Sequence, residues 1–330
     1  MLNIPLAGAS INAVHLFTAG ICVGILCRCY GLAANIIMVP LLYLFGLPVA
    51  HAAGINITQS FGRSLVAMSG EGMHNGGLRR VGLVTGLAGL PGVAAGRSFY
   101  LFLSGQGVTI TAVHLTYIVL SLLVAGSIIR HWYSFARQGY FEDNPLPPFG
   151  LKWRYPLAVP GAAGLKFITL GRVTAVGLIL GFATGYIGLG AAVTAIPLFM
   201  YVLGLSAAVA AATSILPVLI IDSAGMVGYA LDGKLELVPV MVVLVAVFIG
   251  DKIGLSIPPE VKWNHTRLVF ASLLLITAAS IPASIWWTGK IAGMVIVAAC
   301  LALIGITAIM SVISFINEHR TDIVKGKAVN

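Results

Sequence analysis

A long apolar run with glycines in its middle can enter a membrane, but it does not easily cross as one plain helix. Residues 177–197, GLILGFATGYIGLGAAVTAIP, form such a run, with Gly185, Gly188 and Gly190 at its centre. Residues 20–40, GICVGILCRCYGLAANIIMVP, repeat the pattern. Gly20, Gly24, Gly31, Leu32, Ala34 and Pro40 each lie 157 positions before Gly177, Gly181, Gly188, Leu189, Ala191 and Pro197. A constant offset over six positions points to an internal duplication. The fold expected from this feature is an all-α, polytopic membrane protein made of two related halves. Each half opens with a discontinuous, or broken, helical hairpin.

Composition agrees with the membrane reading. The chain has 330 residues, of which 59% are hydrophobic and 9% charged, whereas soluble domains carry about 25% charged residues. Its 39 glycines also suit membrane helices. The formal net charge is +9. The basic residues lie in loops between apolar runs, so they read as orientation signals under the positive-inside rule rather than as a nucleic-acid surface. Cys22, Cys27, Cys29 and Cys300 all lie in apolar segments and lack zinc-site spacing with the histidines. No metal site and no cofactor are expected. The N-terminus lacks a basic n-region, and its first apolar run is longer than that of a cleaved signal peptide, so the segment is expected to be retained.

The first broken segment is expected from about residue 11 to 46. Spans follow near 49–69, 79–103 (kinked at Pro91) and 111–130. The stretch 131–172 holds Arg137, Lys152, Arg154 and Lys166 among five prolines and reads as a linker between halves. This gives a first repeat over 1–130, a linker over 131–172 and a second repeat over 173–330. The second repeat comprises a broken segment at 173–204, spans near 206–230, 235–256, 266–285 and 289–314, and a basic tail. Positive charge places the linker, Arg79 and Arg80, the loop with Lys252, Lys262 and Arg267, and the C-terminal tail in the cytoplasm. With each broken run treated as a hairpin, the two hairpins then face opposite ways, as inverted repeats of secondary transporters do.

Each break restarts a helix at membrane depth and leaves backbone N–H groups without intrahelical partners. Such groups must be buried in protein, hydrated, or given a ligand. A helix N-terminus favours an anion, which places candidate binding residues at Gly31, Ala33, Ala34 and Asn35 and at Gly188, Gly190 and Ala191. The competing account of the glycines is tight helix packing. The spans after the breaks add Asn56, Gln59, Thr213 and Ser214, which suit an oxyanion or a helix-to-helix hydrogen bond equally. Arg28 lies near the first break and can attract an anion. Asp222 is the deepest acid of the second half. It is assigned either an ion pair with an arginine such as Arg63 or a coupling proton. Arg97 and Asp251 read as residues near span ends that snorkel toward water.

The stretches from Gly31 to Ile57 and from Ile187 to Ile215, the turn Tyr229-Ala230-Leu231-Asp232-Gly233 and the region of Gly250 together resemble the TauE/SafE sulfite exporter family, bacterial and plant transporters of small sulfur-containing anions. The resemblance spans most of the chain outside residues 139–170. It departs from the family pattern where Ala33, Ala34, Ala191 and Ala192 replace consecutive glycines. It implies a multi-pass protein of the bacterial cytoplasmic membrane that moves sulfite, thiosulfate or an organosulfonate such as sulfoacetate by alternating access, as proton-coupled export rather than as an enzyme. Two other readings stand beside it. One is an intramembrane sulfur-transfer enzyme using Cys22, Cys27 or Cys29, against which the duplication argues. The other is an anion channel on the same scaffold.

Overall fold

The computed structural model describes residues 2–4, 9–30, 32–69, 78–138, 156–158, 167–255, 266–283, 291 and 293–306. Helix α1 (Ala13–Tyr30) is followed by a 3-10 helix (Leu32–Ile37) and the short α2 (Met38–Leu44). Then come α3 (Val49–Ser69), α4 (Arg79–Gly105) and α5 (Thr109–Gln138). The second half repeats this order with α6 (Leu170–Ile187), α7 (Ala191–Tyr201), α8 (Ala207–Leu231), α9 (Leu237–Leu255) and α10 (Thr266–Ala283). A last helix, α11, covers Gly293–Ile306. As far as the residues are described, a helix stands at each expected span, and both halves open with an interrupted segment, α1 ending at Tyr30 and α6 at Ile187. Helix α4 continues through Pro91, and α5 runs on to Gln138, into the stretch read as linker. Two small antiparallel strand pairs complete the described residues: β1 (Leu2–Ile4) with β2 (Ala9–Ile11), and β3 (Pro156–Ala158) with β4 (Phe167–Thr169).

Among the described residues, four helices are long and apolar enough to cross a membrane, within 109–126, 170–187, 209–231 and 237–255. Large apolar side chains such as Leu115, Leu123, Ile179, Leu237 and Val238 stand exposed on them. In water such a surface is a liability; against lipid it costs nothing. The two halves interlock. Helix α1 packs along α9, α6 packs along α4, and α3 crosses α8 at the centre.

The seams between these helices explain most of the duplicated glycines. A Cβ at Gly177, Gly181 or Gly185 on α6 would run into the backbone at Thr85, Gly89 or Val93 on α4, and one at Gly92 or Gly96 would run into the backbone at Leu178 or Phe182. Along the other seam, Gly20 and Gly24 of α1 meet the backbone at Val243 and Val247 of α9, and Gly250 meets Ile21. Bare glycine lets the backbones touch, which is how helices gain dispersion energy where lipid removes the hydrophobic drive. Packing therefore accounts for Gly20, Gly24, Gly177 and Gly181, while Gly188 and Gly190 do something else.

The same contacts fix direction. Residue numbers rise together along α4 and α6, along α4 and α8 (Gly82 at Thr213, Gly86 at Ile220), and along α1 and α9. They rise together along α3 and α9, where Gly54 meets Leu235 just before α9 and Gly62 meets Leu244 and Phe248. Along α3 and α8 they run opposite, with Ile57 at Gly225 and Ser60 at Asp222. Helices α1, α3 and α9 thus point one way, and α4, α6 and α8 point the other.

Candidate functional site

Helix α6 stops at Gly188, whose φ of +66° is left-handed, and α7 starts after Gly190, whose φ is +74°. Only glycine adopts these angles without strain. At Gly188 the missing side chain is also needed for space, because a Cβ there would press into the backbone of Ala53 on α3. The break lies at mid-depth in the bundle. Helix α8 runs beside it, with Thr213 near one end against Leu78 and Asp232 at the other against Arg97. Asp222, which touches the break, is nine residues from the first and ten from the second, or about 14 and 15 Å at 1.5 Å per residue.

Backbone groups freed by the break are taken up by side chains from other helices. Asn56 Nδ2 on α3 donates to the carbonyls of Gly188 at 2.9 Å and Leu189 at 3.0 Å. The Tyr117 hydroxyl on α5 donates to the Ile187 carbonyl at 3.0 Å. The Ala191 N–H, at the start of α7, donates to Asp222 Oδ1 at 2.8 Å. One turn along α3 from Asn56, Gln59 Nε2 donates to Asn56 Oδ1 at 3.1 Å and also to Asn35 Oδ1. Asn35 belongs to the 3-10 helix of the first break. The chain Asn35–Gln59–Asn56 therefore ties one break to the other. Asn35, Asn56, Gln59 and Asp222 are all at most 2% exposed. Burial on this scale makes each hydrogen bond expensive to lose.

Beyond Gly190 lies the Ser60 hydroxyl, 3.1 Å from where a Cβ would stand on that glycine. Ser60 neighbours the Asp222 carboxyl, outside hydrogen-bond geometry. Ser60 Oγ, Asp222 Oδ2 and Gln59 Oε1 are each buried without a hydrogen-bond partner. A polar atom left so in low dielectric calls for an explanation, and a visiting ligand, water or proton supplies one.

The structure brings Asn35, Asn56, Gln59, Gly188, Gly190 and Ala191 together around Asp222. Gly31 lies outside the described residues, and of Ala33 and Ala34 only the 3-10 backbone is described. Thr213 and Ser214 do not join the cluster. Thr213 Oγ1 accepts from the Leu78 N–H at 3.1 Å before the start of α4, and Ser214 donates to Ala211 O of its own helix at 2.7 Å. Arg28 is exposed at the end of α1, with its stem against Gly254.

The expected pair of Asp222 with Arg63 is not formed. Arg63 Nη2 meets Asp251 Oδ1 at 3.1 Å, with the Cys27 thiol alongside the guanidinium. Arg63 lies one helical turn beyond Gln59 on α3, level with the end of α9 rather than with the break. Nor do Arg97 and Asp251 act as lone snorkelling charges. Arg97 holds Asp232 with two hydrogen bonds, and both pairs join the first half to the second. Tyr117 was not anticipated from sequence, because a tyrosine in an apolar span carries no mark of the distant carbonyl it caps. Cys22, Cys27, Cys29 and Cys300 are free and buried. Among the described residues no group of three or more His, Cys, Asp or Glu could hold a metal ion.

No curated protein and no solved structure matches the chain. The family model described as sulfite exporter TauE/SafE matches residues 16–281, a span that contains both breaks and every residue of the Asn35–Asp222 cluster. With its apolar, interlocked helices and its two interrupted segments, the chain belongs to the sulfite exporter TauE/SafE family of membrane proteins.

Proposed function

We propose that this chain is a secondary transporter that carries a small sulfur-containing anion, such as sulfite, thiosulfate or sulfoacetate, across the bacterial cytoplasmic membrane. The transport is proton-coupled export by alternating access, with the linker and C-terminus on the cytoplasmic side. The observation that carries this reading is the second break: a half-helix N-terminus buried at mid-depth, with polar side chains from both halves converging on it. Irregular backbone at such depth is tolerated where it is buried or lines a pathway, and half-helix N-termini are a recurring means of holding anionic groups in transporters.

Asn35, Asn56, Gln59, Gly188, Gly190 and Ala191 form the binding region, with Gly31, Ala33 and Ala34 on the side of the first break and Asp222 as the coupling residue. The repeats are inverted, with residues 1–130 and 173–330 as the two units and 131–172 as the linker. The opposed directions of α1 and α6, α3 and α8, and α4 and α9 support this. Rocking of one unit against the other opens the region to each side in turn. Cys22, Cys27 and Cys29 lie on α1 ahead of the first break and away from the second, and their burial supports packing rather than sulfur transfer.

Uptake of sulfite, thiosulfate and sulfoacetate into proteoliposomes, with and without a pH gradient, tests the proposal. Saturable uptake of at least one anion that responds to the gradient is expected. Failure of all three to move under either condition overturns it.

A further inference from the structure

The N-terminus of α7 is already occupied. Asp222 Oδ1 takes the Ala191 N–H at 2.8 Å, where an incoming anion would be expected to bind. Asp222 is fully buried, and its second oxygen has no hydrogen-bond partner. An ionised carboxylate has room for about four hydrogen bonds, and this one has a single firm donor. Ser60 Oγ, also buried and unpartnered, stands beside it across Gly190.

No charged side chain among the described residues faces this carboxyl. From α3 it meets Ser60, while Arg63 of that helix is held by Asp251 and His51 lies toward Lys234 and Glu236. From α4, Arg97 is held by Asp232, and Arg79 and Arg80 lie at the far start of the helix. From α6, Tyr186 meets Thr116 and Phe99, and Arg172 lies at the distant start. On α8 itself, Tyr229 reaches Gly185 O. Helix α7 contributes the Ala191 N–H and no charged residue. Among the described residues, the groups that favour a negative charge here are the positive end of α7, equivalent to about half a charge, and the Ser60 hydroxyl beside the carboxyl; that helix end supplies the larger field. It can serve one anion, because two like charges a few ångströms apart at low dielectric repel strongly.

We infer that Asp222 is an internal stand-in for the transported anion, and that the two exchange places at the N-terminus of α7 as Asp222 gains and loses a proton. This rests on the transporter reading above and adds a coupling rule to it. In the exchange, a proton adds to Oδ2, Oδ1 gives up the Ala191 N–H, and an oxygen of the anion accepts that N–H instead. Where the group that takes the N–H is singly charged, as in hydrogensulfite or the sulfonate end of sulfoacetate, the N-terminus of α7 faces one negative charge before and after. Anion and proton therefore cross together, one of each, in the same direction. An inward proton gradient then favours entry, and export proceeds when the outward gradient of the anion exceeds it.

The test uses the full chain in proteoliposomes with the membrane potential clamped at zero and 35S-labelled sulfite, thiosulfate and sulfoacetate as probes. A gradient of one pH unit, acid outside, is expected to drive about tenfold accumulation of thiosulfate or sulfoacetate, whose charge is fixed near neutral pH, at one proton per anion, and internal acidification should match their entry one for one. Asp222→Asn is expected to abolish accumulation and to make any exchange of labelled for unlabelled anion independent of pH. Gradient-driven accumulation that persists in Asp222→Asn overturns the inference. So does a wild type that exchanges anion without proton entry, which leaves the transporter reading standing. A wild type that moves none of the probes removes both. If Asp222→Asn does not fold, the wild-type proton count decides alone.

Discussion

The left-handed glycine at the end of α6 can be separated into a backbone requirement and a packing requirement. Gly188 and Gly233 share a φ of +66°. A Cβ at Gly233 would meet nothing within 4 Å, whereas one at Gly188 would stand 2.7 Å from Ala53 Cα and 3.1 Å from its carbonyl carbon. Gly233→Ala should therefore show the conformational cost alone, about 1–2 kcal/mol. Gly188→Ala adds overpacking against backbone that cannot rotate away, typically about 1–3 kcal/mol more. The difference corresponds to roughly 5- to 150-fold in the folded-to-unfolded ratio. Equilibrium unfolding by SDS titration in mixed micelles measures it directly. Gly188→Ala should also impair transport, because Gly188 O is held by Asn56, while Gly233→Ala should not. Equal stability losses in the two variants, or full transport by Gly188→Ala, would refute the reasoning.

Three further outcomes follow from the packing and hydrogen bonding. Asn56→Ala should cost about 1–4 kcal/mol by the same titration: the lower figure is two average interhelical bonds in a membrane, the upper two orphaned carbonyls. Transport should fall as well; a loss well below 1 kcal/mol would show that water replaces the amide. Gly181→Ala should destabilise the α4–α6 seam by about 1–3 kcal/mol, whereas Gly126→Ala, in open space on α5, should stabilise by up to about 1 kcal/mol; a shared sign would contradict the seam. Replacing Cys22, Cys27 and Cys29 together by alanine should leave transport rates intact in proteoliposomes, and its loss would return the thiols to the mechanism.

Much of this architecture was legible in the residues because membrane helices announce themselves by length and hydropathy. The spans and both interruptions fall where the apolar runs and their glycines put them. Spacing could not divide the glycines by role. Gly181 and Gly188 look alike in a duplicated motif, yet one admits a neighbouring backbone and the other turns the chain. Partners distant in sequence were the least legible. Arg63 had several acids to choose from, and the choice of Asp251 over Asp222 follows from the register of α3 against α8 and α9. Asp222 offers its charge to a backbone N–H rather than to a cation, and no side-chain pattern encodes that. Ser214 lies at the repeat position of Asn56, with Thr213 at that of Ile55. Equivalence in the repeat did not carry over to role: Asn56 caps the second break, while Thr213 serves the start of α4 and Ser214 its own helix.

The central claim is that this break serves a carrier, not a pore, and counterflow tests it most directly. Proteoliposomes loaded with unlabelled sulfite are diluted into medium holding a trace of 35S-sulfite. A carrier that alternates between sides is expected to accumulate label transiently above its equilibrium level, and Asn56→Ala should blunt the overshoot. A monotonic rise to equilibrium with no overshoot would contradict the account.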